Sequence, residues 1–196
     1  IVFTADGDLD SRMELYAANV NGTNRRKISL PVGEFDNVDL DVGGFRVAPD
    51  GGFVIYYADQ YINEKDTLFK VDLSNDVVNN TLQGVSAQSQ LEYFGIRPDS
   101  AQVFALATKV NTATDLFLAS VDGGDAAIIN NSLKNMGFVN VAYAQWSPDS
   151  SALFYMADET EAYNALYLVN AETQVATRVD TLDTSIISVS YAQWVE

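Results

Sequence analysis

The sequence contains no cysteine and no histidine. Disulfides, thiol nucleophiles and the usual zinc sites are excluded, as is any mechanism that needs an imidazole base. The lack of cysteine leaves the compartment open. Positive charge is scarce: 11 Lys and Arg stand against 27 Asp and Glu, for a net charge of −16. Phosphate backbones and anionic lipids need a cationic face. The single basic cluster, Arg25-Arg26-Lys27, reads instead as a charged edge strand that discourages aggregation. No nucleic-acid partner is expected. No run approaches the roughly 18 apolar residues of a spanning helix, so membrane insertion is not expected either. The chain opens at Ile1 with neither Met nor a signal-like apolar stretch, which suggests a processed or excised piece of a longer product.

Proline is also sparse, with four in 196 residues, and three of the four recur at a fixed interval. Pro49, Pro98 and Pro148 lie 49 and 50 apart (98 − 49 and 148 − 98). Each sits in the same corner: Val47-Ala48-Pro49-Asp50-Gly51, Ile96-Arg97-Pro98-Asp99-Ser100 and Trp146-Ser147-Pro148-Asp149-Ser150. A fourth copy is divided between the chain ends. Tyr191-Ala192-Gln193-Trp194 repeats Tyr143-Ala144-Gln145-Trp146, and the segment after Ile1 supplies the remainder. A period in this range signals a propeller or a similar array.

Each repeat reads as four short strands. The first runs into the Pro-Asp corner: Val38 to Val47, Leu91 to Ile96, Val139 to Trp146 and Ile187 to Trp194. The second is a compact apolar run, as in Phe53-Val54-Ile55-Tyr56-Tyr57. The third pairs Leu with an aromatic: Leu15-Tyr16, Leu68-Phe69, Leu116-Phe117 and Leu166-Tyr167. The fourth is more polar. Apolar strands followed by a solvated outer one fit radial blades better than a sandwich, whose strands would alternate throughout. The expected fold is therefore all-β: a β-propeller of four repeats with four-stranded antiparallel blades. The repeats span about 1–37 plus 187–196, 38–88, 89–137 and 138–186 of a single domain, residues 1–196. The C-terminal strand is expected to complete the first blade. Self-closure, giving a monomer, is the arrangement expected; the alternative lends that strand to a neighbour and gives a strand-exchanged oligomer.

The Trp-Ser-Pro-Asp-Ser corner, the apolar second strand and the Leu166-to-Asn170 third strand resemble the TolB-type, WD40-like propeller repeat. They are also similar to the propellers of prolyl oligopeptidase-like enzymes. The resemblance covers nearly the whole chain. It implies a protein or peptide partner and a periplasmic or extracellular location. The function expected is a non-catalytic binding or scaffold module. The alternatives are a substrate-gating propeller of a larger hydrolase and a structural subunit assembling by its terminal strands.

Few residues stand out as chemistry. No Gly-x-Ser-x-Gly elbow occurs, and with no histidine to activate a serine, no catalytic residue is assigned. Asp6, Asp8 and Asp10 alternate in one loop, with Glu14 beyond. Alternating carboxylates are how a loop gathers oxygens for Ca2+; the competing reading is a solvated turn. No other cofactor is expected. Tyr61 and Tyr163 lie in the long loops between second and third strands and are the candidate ligand-binding aromatics. Trp146 and Trp194, at matching strand ends, are expected to pack between blades.

Overall fold

The computed structural model describes residues 1–7, 13–30, 42–59, 65–76, 78–80, 82, 89–109, 114–130, 141–158, 164–180 and 188–195. These residues form four antiparallel sheets in chain order, and the fold is that of a β-propeller. Sheet one holds β1 (Val2–Ala5), β2 (Glu14–Ala17) and β3 (Arg26–Lys27). Sheet two holds β4 (Val42–Val47), β5 (Phe53–Ala58), β6 (Thr67–Asp72) and β7 (Val78–Asn80). Sheet three holds β8 (Ser89–Ile96), β9 (Gln102–Lys109), β10 (Thr114–Ser120) and β11 (Ala127–Ile128). Sheet four holds β12 (Val141–Trp146), β13 (Ala152–Ala157), β14 (Ala165–Asn170) and β15 (Ala176–Arg178).

The Pro-Asp corners explain why the first two strands of a sheet meet as a hairpin. Proline presets φ for the turn, and the aspartate side chain caps it two residues on. The Asp50, Asp99 and Asp149 carboxylates accept the backbone N–H of Gly52, Ala101 and Ser151. The residue after each aspartate is left-handed: Gly51 at φ 74°, Ser100 at 63° and Ser150 at 65°. Glycine takes that conformation freely, whereas serine pays for it. The two serines have a compensating bond. Ser100 Oγ accepts from Asp50 N at 3.3 Å, and Ser150 Oγ accepts from Asp99 N at 3.0 Å. Each of these corners is thus tied to the corner of the preceding sheet.

Apolar side chains on both faces of the middle strands are buried between neighbouring sheets. Among the described residues three cores result, one between each pair of consecutive sheets. Leu15, Ile28, Val54 and Phe69 mark the first, Ile55, Leu68, Phe94 and Phe117 the second, and Leu116, Leu118, Trp146 and Tyr155 the third. Polar ties reinforce the outer ends. Arg26 Nε reaches Asp76 at 2.7 Å, and Lys70 Nζ reaches Asp122 at 2.8 Å. Arg26 and Lys27, expected as bare edge charges, are therefore both engaged, since Lys27 Nζ lies 2.8 Å from the buried Glu14.

The C-terminal segment packs on sheet four. Residues 188–195 carry no strand assignment, and among the described residues nothing pairs them with β1, so sheet one has three strands. They lie against sheet four instead. Val189 N donates to Asn164 O at 2.7 Å, and the Trp194 ring packs 5.4 Å from Phe154. Trp146 is buried as expected. Trp194 makes the matching contacts but is only half-buried.

Candidate functional site

The first strands of the sheets carry the most distinctive surface. In β4, β8 and β12 the pairing register shifts by one residue at the same place, between Val42 and Gly44, Leu91 and Tyr93, and Val141 and Tyr143. Such a bulge re-aims the side chains that follow it. Tyr93 and Tyr143 therefore occupy equivalent positions, and their rings stack at 6.4 Å with an interplanar angle of 25°. Tyr191 stands at the same repeat position in the C-terminal segment. Burial, first, and then the neighbouring Tyr93 and Tyr191 hydroxyls raise the Tyr143 phenol above its ordinary value. At the other end the Arg46 guanidinium lies 5.0 Å from the Tyr93 ring centroid, a cation–π arrangement. Sheet two interrupts the row: it has Gly44 in place of tyrosine, and a Cβ there would run into the Tyr57 ring.

A cleft of about 240 Å³ opens beside this row, lined by Arg46, Tyr93, Gly95, Gln145 and Trp146 among others. A second, of about 650 Å³, lies between Gln145, Pro148, Gln193, Trp194 and Val195. The Arg46 Nε donates to Phe94 O at 2.8 Å, and Tyr191 donates its hydroxyl proton to Gln193 Oε1 at 2.8 Å. The surface thus presents aromatic faces, amides and one cation.

The sites expected from sequence fall mostly elsewhere. Asp8 and Asp10 lie outside the described residues, as do Tyr61 and Tyr163. Asp6 is described and exposed. Glu14, the acid beyond that loop, is buried and accepts from the Tyr16 hydroxyl at 2.7 Å and from Lys27 Nζ at 2.8 Å. Among the described residues no group of three acidic side chains is placed to share a metal ion. The Tyr93–Tyr143–Tyr191 row was legible in part, from the repeated Tyr-Ala-Gln-Trp. Tyr93 was not, because its repeat reads Tyr93-Phe94-Gly95-Ile96, and only the shared bulge aligns it.

No protein-family model matches this chain, and no curated protein sequence is similar to it. Solved structures are similar in fold. A puromycin hydrolase variant in complex with PGG superposes with a TM-score of 0.62 at 24% identity, over 90% of this chain and 28% of the other. Dipeptidyl peptidase 4 of Porphyromonas gingivalis gives 0.63 at 13%, over 85% and 23%. TolB from Acinetobacter baumannii gives 0.52 at 14%, over 89% and 39%. The chain spans well under half the length of each of these proteins. At these identities the likeness establishes the class, a β-propeller related in fold to TolB and to the propellers of several hydrolases and lyases.

Proposed function

We propose that this chain is a non-catalytic propeller unit that admits or holds peptide-like ligands for a larger hydrolase. The observation that carries the reading is the tyrosine row on the first strands. Tyr93, Tyr143 and Tyr191 offer stacking faces, Gln145 and Gln193 offer amides, and Arg46 supplies a cation at one end. The fold likeness to puromycin hydrolase and to dipeptidyl peptidase 4 supports it, since each is much longer than this chain.

A second reading, a binding scaffold outside the cytoplasm, rests on the TolB likeness. Both readings call for a protein or peptide partner and for no catalytic residue here. Asp6, Asp8 and Asp10 as a calcium loop, and Tyr61 and Tyr163 as further ligand contacts, rest on the sequence alone. A melting temperature that rises with calcium and no longer does so in Asp8→Asn tests the former.

Titration with short peptides of mixed composition, followed by NMR shifts and tryptophan fluorescence, tests the principal reading. Binding that Tyr93→Ala and Tyr143→Ala weaken at least tenfold, with folding intact, is expected. Peptide affinity unchanged by either substitution overturns it.

A further inference from the structure

Arg46 is held in place yet leaves most of its donors unused. Its Nε donates to Phe94 O at 2.8 Å, and its guanidinium lies 5.0 Å from the Tyr93 ring centroid and 5.6 Å from that of Phe94. One bond and two rings thus fix the group as it crosses from sheet two to sheet three. Among the described residues neither Nη has an acceptor, and none of the carboxylates pairs with it. Arg26, Lys27, Lys70 and Arg178 each do pair with a carboxylate. Arg97 is the closest comparison, since it also stacks on a ring, that of Trp146, at 5.7 Å. Its Nε donates to Ser150 O and lies 3.2 Å from Asp99, and its Nη1 donates to Gln102 Oε1. Arg97 is therefore engaged within its own fold, and Arg46 is open at its outer end.

A gap lies beside it. Arg46, Gly95 and Gln145 hold the same place in successive sheets, each three residues ahead of Pro49, Pro98 and Pro148. They face equivalent residues of the second strands, Ile55, Phe104 and Phe154. The middle position has no side chain. A Cβ at Gly95 would run into the Phe104 ring, so the close approach of that ring requires glycine. The cleft of about 240 Å³ opens at this gap, with Arg46, Gln145, Tyr93 and Trp146 in its lining. That volume is below the roughly 300–1,000 Å³ of a complete small-ligand pocket. It suits one residue of a longer ligand.

We propose, resting on the peptide-ligand reading above, that this cleft seats a carboxylate-bearing residue of the peptide, with the carboxylate bound end-on by the two Arg46 Nη groups. With Nε committed to Phe94 O, the Nη pair is the fork that remains, and such a fork matches the two oxygens of a carboxylate. The Tyr93 ring holds the guanidinium in position, so little freedom is lost when the ligand arrives. The apolar lining takes the residue's carbon atoms, and the Gln145 amide is available to the peptide backbone. The net charge of −16 opposes an anion at a distance. At about 0.1 M salt that field fades beyond roughly 10 Å, and the pair made at contact decides binding. A C-terminal α-carboxylate and an Asp or Glu side chain supply the same chemistry.

Two pairs of short peptides separate those sources. Acetyl-Ala-Phe as the free acid and as the amide differ only at the α-carboxylate; acetyl-Ala-Glu amide and acetyl-Ala-Gln amide differ only in the side chain. Affinities are read by NMR shift titration of the intact chain. In at least one pair the charged peptide should bind about tenfold or more tightly than its neutral partner, and that pair names the source. Arg46 is exposed, so its replacement leaves the cores intact. Arg46→Gln should bring the charged peptide down to the affinity of the neutral one and leave the neutral one unchanged. Arg46→Lys should recover part of the gap, having the charge without the fork. Equal binding within both pairs, still weakened by Tyr93→Ala, overturns the carboxylate anchor and leaves the peptide reading standing. A preference for the charged peptide that persists in Arg46→Gln overturns the anchor as well. Failure of all four peptides to bind overturns both.

Discussion

Trp194 Nε1 donates to Gln145 O at 3.2 Å, and it repeats, one sheet later, the bond of Trp146 Nε1 to Gly95 O. The two indoles thus do one job at successive places, with one difference. Trp146 is 6% exposed beneath a complete neighbouring sheet, whereas Trp194 is half-buried. The same bond therefore stabilises by different amounts.

Trp146→Ala should cost about 3–5 kcal/mol, the range for a buried aromatic, because it empties the core between sheets three and four. Trp194→Ala should cost about 1–2 kcal/mol, since much less area leaves water there. Urea unfolding of both variants checks the ratio. Equal losses would mean that Trp194 is as well covered as Trp146.

Ser150 holds a left-handed backbone at φ 65° in exchange for its bond from Asp99 N. Ser150→Ala keeps the strained conformation and loses the bond, so a loss of about 1–2 kcal/mol is expected. Ser150→Gly loses the same bond but relieves the backbone, and should lie closer to the parent. If glycine is the more damaging of the two, the backbone account of this corner is wrong.

Glu14 is buried beside Lys27, while Arg26 and Asp76 are both about a third or more exposed. Removing Lys27 strands a buried carboxylate without its cation; removing Arg26 exposes a carboxylate that water already reaches. Lys27→Met should therefore cost about 2–3 kcal/mol and Arg26→Met under about 1 kcal/mol. Thermal melts of the two single variants measure the difference.

The Asp149 carboxyl is held at about 2, below its ordinary 3.8, chiefly by the Ser147 hydroxyl and then by the Ser151 N–H and hydroxyl. A depressed folded-state value means that its stabilisation is complete above about 3.8 and is lost as pH falls through about 2. Asp149→Asn cannot titrate, so its melting temperature should fall less steeply than the parent's across that window. Parallel acid limbs would show that this corner bond contributes nothing to acid sensitivity.

Much of the fold was legible because it is repetitive. Proline spacing placed the corners, and the Leu-aromatic pairs placed the third strands within a residue or two. The polar gradient identified β3, β7, β11 and β15 as the outer strands. The candidate surface was less legible. Tyr93 joins Tyr143 only because β8 and β12 share a bulge, and a one-residue shift in register is invisible to a pattern of apolar spacing.

By itself, then, the sequence determined the periodic features: four sheets, their strand order and the turn chemistry at Pro49, Pro98 and Pro148. These follow from local propensity and side-chain alternation, which act within a few residues. Tertiary structure decided what depends on the step between sheets. It paired Ser150 with Asp99 and Arg26 with Asp76, lined up the tyrosines, and set the C-terminal segment on sheet four. The angle between blades is a sum of many interdigitating side-chain contacts, and no single stretch of the chain encodes it.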